Sequence, residues 1–121
     1  MRFSLILFSL LLSACIDLDL HERHLVGPYY LAQDPVGSYE TLFYRLSGGL
    51  DAERVSNVYK AGYTEKFVFV EAKAGFYCIN RRQDRPADLG DLAVQQSMSG
   101  PLNHSTFTTF LRRIGEASFS F

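Results

Sequence analysis

The sequence predicts an α+β domain: an antiparallel β-meander of about five strands with one C-terminal α-helix packed on it. Three patterns carry this expectation. Between Leu25 and Asn80, runs of β-branched and aromatic residues are separated by turn signals at Asp34-Pro35-Val36-Gly37, Ser47-Gly48-Gly49 and Ala74-Gly75. Lys66–Ala72, KFVFVEA, is apolar on both alternating faces, which marks a central strand covered on each side. Near the C-terminus, Phe107, Phe110, Leu111 and Ile114 fall at i, i+3, i+4, i+7, the apolar stripe of a surface helix.

The expected strands are Val26–Ala32, Tyr39–Leu46, Val55–Tyr63, Lys66–Ala72 and Phe76–Asn80. Pro28 at the front of the first suits an edge position, where a missing N–H costs no ladder bond. All seven tyrosines lie between Tyr29 and Tyr77, where aromatic side chains fit a pleated surface or form an exposed platform for a protein or glycan. Residues 81–99 are polar and punctuated by Pro86 and Gly90, so a long surface loop is expected, with one helical turn around Leu89–Val94. Asn103 or Ser105 suits the N-cap of the final helix, Arg112 and Arg113 suit its negative end, and Gly115 supplies its stop. Phe119 and Phe121 alternate with serines, the pattern of a short last strand.

Composition bounds the function. The 121 residues are 47% apolar and 21% charged, with a formal net charge of -1. That suits one small globular domain and opposes a disordered chain. It also removes the electrostatic case for nucleic-acid binding. Two cysteines make no disulfide framework.

Residues Met1–Cys15, MRFSLILFSLLLSAC, place one cation, Arg2, before a short apolar run, the layout of a secretory signal. The run is too short for a mature membrane span, which needs about 20 apolar residues. Its end, Leu12-Ser13-Ala14-Cys15, resembles the lipobox of bacterial lipoproteins. The resemblance implies recognition of Leu12, Ser13 and Ala14 by the signal peptidase, cleavage of residues 1–14, and acylation of the Cys15 thiol. It further implies a membrane anchor through the N-terminal lipid. Ile16 follows the cysteine and Asp17 comes one later, which in Gram-negative lipoproteins implies the outer membrane, facing the periplasm. Residues 15–24 then read as the lipidated cysteine and a charged tether, or alternatively as the start of a first strand through Ile16, Leu18 and Leu20, and residues 25–121 as the domain.

A second set of motifs lies in the mature part: Gly62-Tyr63-Thr64-Glu65-Lys66-Phe67-Val68, then Tyr77-Cys78-Ile79, then Gly100-Pro101-Leu102 with Phe107. Together they resemble a family of small uncharacterised bacterial lipoproteins, in which Val, Trp and a capping Thr stand where this chain has Ala61, Tyr63 and Asn103. The resemblance implies a helix starting just after Asn103 and carries no activity.

Few residues suggest chemistry. His21 and His24 with Glu22 between them have ligand types for zinc or copper, but a third fixed ligand is missing, so no metal is assigned. Cys78 and His104 could form a thiolate–imidazole pair, yet Cys78 in FYCI reads more simply as a small buried hydrophobe. His104-Ser105 lacks a nucleophile elbow and reads as a helix start. Arg81, Arg82 and Arg85 alternate with Asp84, Asp88 and Asp91; they read as a solvated loop or as a partner surface.

The sequence therefore leads to a lipid-anchored, non-catalytic protein of the cell envelope with no cofactor, acting as an interaction or structural module on an envelope protein partner. The alternatives are an inhibitor or immunity-type protein against an envelope toxin or enzyme, a small periplasmic hydrolase using His104 or Cys78, and a ligand or metal carrier.

Overall fold

The computed structural model describes residues 22–33 and 37–121. Its elements are β1 (Glu22–Val26), β2 (Tyr29–Gln33), β3 (Glu40–Arg45), β4 (Asp51–Tyr63), β5 (Phe67–Ala72), β6 (Gly75–Asn80), α1 (Leu92–Ser97), β7 (Met98–Leu102) and α2 (His104–Arg113). The seven strands form one sheet in sequence order, every neighbour antiparallel. The expected α+β meander is thus present, with seven strands in place of about five.

The two extra strands are the edges. Glu22–Val26 is charge-rich, which reads as tether, but at a sheet edge those charges pair sideways: Arg23 with Glu40 at 2.8 Å, and Glu22 with Arg45. The last residues of the expected tether, Glu22 to His24, therefore belong to the sheet. At the other edge, β7 has the sequence MSGPL, whose Gly and Pro oppose a strand reading; Pro101 has no N–H to offer a further strand. The expected loop at 81–99 is correspondingly shorter, because α1 and β7 take up its second half. Pro28 lies in the β1–β2 turn, and Phe119 and Phe121 lie outside any strand.

Strand β5 is buried from both sides. Val68, Val70 and Ala72 enter a core with Leu31, Leu42, Val55, Val58 and Ile79, all at or below 5% exposure. Phe69, on the opposite face, is fully buried with Cys78 of β6 and with Phe107 and Leu111 of α2. Helix α2 lies there because its apolar stripe matches this second face. Its N-cap is Asn103, whose side chain accepts the Thr106 N–H at 2.8 Å. Its end is a double-bonded stop: the Gly115 N–H reaches the Arg112 carbonyl and the Glu116 N–H the Leu111 carbonyl, with Gly115 in the left-handed region at φ 78°.

Phe69 fills the centre of the helix-covered layer, so Phe69→Ala should lower unfolding free energy by about 3–5 kcal/mol, the cost of an unfilled buried aromatic site. Urea unfolding measures this directly. A loss below about 1 kcal/mol would mean that α2 does not pack on β5 as described.

Candidate functional site

The segment from Arg81 to Asp91 is irregular in backbone but closely tied. Asn80 at the end of β6 starts it: its side-chain oxygen accepts the N–H groups of Arg82 and Gln83, at 3.0 and 3.3 Å, as an Asx turn. Asp84 then points inward. Its carboxylate accepts the Tyr29 hydroxyl at 2.7 Å, the Arg85 N–H at 2.9 Å, and the Arg54 guanidinium through Nε and Nη2 at 3.0 Å each. Both charged side chains have 0% exposure. The same Arg54 Nη2 donates to the Arg85 carbonyl at 2.9 Å, so one guanidinium grips a side chain and the backbone beside it. The Tyr44 ring lies 4.8 Å from the Arg54 guanidinium and meets Tyr29 edge-on.

Arg54 is buried because of a bulge. Leu42 pairs with Val55 while Phe43 pairs with Glu53, so Arg54 is the extra residue of β4. Arg54 and Val55 are consequently both buried. An isolated buried guanidinium would be very costly, and Asp84 offsets that cost from 30 residues away with bidentate geometry. Burial, and after it the hydrogen bond to Asp84, hold the Tyr29 phenol far above its ordinary pKa. Tyr29 therefore stays a donor.

The far end of the segment is tied as well. Asp88 accepts the Gly90 N–H, Asp91 caps α1 through the Ala93 and Val94 N–H groups, and Gln95 donates to the Leu89 carbonyl. Val94 is fully buried. On this fixed frame Arg82, Arg85 and Leu89 face solvent, and Leu92 beside them is 66% exposed. Of the three arginines singled out from sequence, Arg82 and Arg85 are exposed, whereas Arg81 is half-buried and donates to the Thr64 and Glu65 carbonyls. Arg81 therefore fastens the β4–β5 turn to this segment instead of joining the surface.

Among the described residues, two cavities lie against α2. One, of about 380 Å³, includes Glu71, Phe76, His104, Phe107, Phe119 and Phe121 in its lining. The other, of about 170 Å³, is lined by Cys78 with Asn80, Ser97 and Ser99. Cys78 and His104 thus line different cavities, and no hydrogen bond joins them. Burial, then the nearby charge of Glu116, pushes the Cys78 thiol up to about 12. A thiol so placed is protonated at neutral pH and a poor nucleophile.

The His24 ring donates from Nε2 to the Gly27 carbonyl at 2.8 Å, and no group of three metal-ligating side chains stands together among the described residues. His21 and the segment Leu12-Ser13-Ala14-Cys15 lie outside the described residues. Of the tyrosines, Tyr29 is core, while Tyr59 and Tyr63 are about half exposed. No family model matches the chain, and no curated protein or solved structure matches it either.

Two outcomes follow from the buried groups. Asp84→Ala strands the Arg54 charge and should cost about 3–5 kcal/mol of stability, whereas a loss near that of an exposed pair, under about 1 kcal/mol, would show that Arg54 reaches water. For Cys78, the folded pKa lies above the ordinary value of 9.0. The unfolded chain therefore releases this proton first, and the thiol's contribution to stability, complete below pH 9, falls as pH rises from 9 to about 12. Thermal unfolding against pH should show that slope reduced in Cys78→Ala; an identical slope would contradict the burial of the thiol.

Proposed function

We propose that this chain is a lipid-anchored, non-catalytic protein of the bacterial cell envelope that binds an envelope protein partner through its 82–92 surface. The observation that carries the reading is the frame of that surface. Arg82, Arg85, Leu89 and Leu92 are exposed, while the backbone beneath them is fixed by the buried Arg54–Asp84 pair and by the Asp91 cap. Fixing a loop before binding removes the ordering cost that a flexible one would incur on contact. Arginine and apolar side chains on such a frame suit the centre of a protein interface.

The anchor follows from Arg2, the apolar run and Leu12-Ser13-Ala14-Cys15. Two or more acyl chains on Cys15 would hold the protein at the membrane essentially permanently. With β1 beginning at Glu22, residues 16–21 separate the lipid from the sheet and span at most about 20 Å when extended. The domain would then work close to the lipid surface, on the periplasmic face of the outer membrane in a Gram-negative cell. Confinement there raises its effective concentration towards partners in the same layer.

Two variants test the reading. Cys15→Ala should release the protein from the membrane fraction and abolish acyl labelling; a variant that stays membrane-bound and acylated refutes the anchor. A photo-crosslinker placed at Leu92 in the anchored protein should trap one envelope protein, and the trap should vanish in Arg82→Glu/Arg85→Glu. Crosslinking that is unchanged by the charge reversal, or confined to lipid, refutes the surface.

A further inference from the structure

We infer that the cavity between α2, the β5–β6 surface and the C-terminal segment is a binding site for a small organic ammonium, a positively charged amine carried on an aryl or alkyl body. This site shares no residue with the 82–92 surface and stands whether or not that surface binds a protein.

Size and lining give the first argument. A cavity of about 380 Å³ is large enough for a compact organic ligand. Its walls carry the rings of Phe76, Phe107, Phe119 and Phe121. Phe76 and Phe107 stack at 4.6 Å, and Phe119 meets Phe121 edge-on at 5.1 Å. Phe121 keeps 43% of its surface in water, an apolar ring left uncovered at the site. Gly62 of β4 makes room for this arrangement. A Cβ there would come within 2.8 Å of the Phe119 ring, so the missing side chain is the seat of that wall.

Charge gives the second argument. Glu71 also lines the cavity, and among the described residues its carboxylate makes no ion pair or hydrogen bond. Lys60 is its cross-strand neighbour, yet no ion pair joins them. Of the other polar lining groups, the Thr108 hydroxyl is committed to the His104 carbonyl at 2.9 Å, and the His104 ring sits edge-on to Phe76 at 5.7 Å. Ring faces carry negative potential, so they attract a cation and disfavour an anion. An unpaired carboxylate adds to that field. Aromatic walls and a lone carboxylate together select a cation with an apolar body over a neutral or anionic ligand of the same shape.

The test titrates the full chain with phenyltrimethylammonium, benzyl alcohol and benzoate, following the NMR signals of the Thr108 methyl and the phenylalanine rings. The ammonium should saturate these shifts with a Kd at least about 10-fold below those of the alcohol and of benzoate. Glu71→Gln should weaken the ammonium about 10-fold and leave benzyl alcohol unchanged. Phe121→Ala, which removes a ring already partly in solvent, should weaken the ammonium as well and guards against a folding defect in the first variant. Equal affinity for the three probes, ammonium binding that survives Glu71→Gln undiminished, or no saturation below about 10 mM would overturn the assignment.

Discussion

The buried pair of Arg54 and Asp84 is the interaction on which the shape of the 82–92 surface depends. It joins a bulge in β4 to a segment 30 residues later, and it does so with both side chains wholly removed from water. Such a pair contributes little net stability compared with well-packed apolar residues, because desolvation consumes most of the Coulomb attraction. Its effect is specificity. An arginine gripping one carboxylate, two carbonyls and one tyrosine-ringed site accepts a single loop geometry, and no apolar contact would be so selective. The exposed arginines and leucines of residues 82–92 inherit their positions from it.

A second constraint shapes the rest. The single seven-stranded sheet has a buried apolar cluster on each face. Strand β5 serves both by being apolar on each side. Its valines join the other strands in one core, and its phenylalanines form a second, thinner core under α2. The thinner core closes incompletely at the β6 end of the helix, and the aromatic cavity with Glu71 remains there.

What the sequence disclosed follows the range of the forces involved. The two-faced strand Phe67–Ala72 and the helix behind Asn103 were legible because their signals are local: alternation, 3.6-residue periodicity, a cap and a stop. The edge strands were hidden for a different reason. Glu22–Val26 carries charges that find partners on β3, across β2, only once the sheet has formed, and MSGPL has low strand propensity that pairing with β6 overrides. The site was the least legible. Arg82 and Arg85 were visible as exposed charges, but Asp84 looked like one more acid in a mixed loop, and Arg54 fell just outside the expected strand Val55–Tyr63. One sign was present in hindsight: Arg54 falls in the same alternating phase as Ala52, so a cation stood at an inward position and required a buried partner.

The Arg54–Asp84 pair fixes the 81–91 segment in the free protein. Native-state hydrogen exchange in wild type and Arg54→Met tests it most directly. The N–H groups of Arg85, Gly90, Ala93 and Val94 are each held by Asp84, Asp88 or Asp91. In wild type they should be protected, and in the variant the Arg85 N–H should lose protection ahead of the amides of β5, by local opening of the segment. Exchange at Arg85 that is unprotected in wild type, or that changes only in step with β5, would contradict the account.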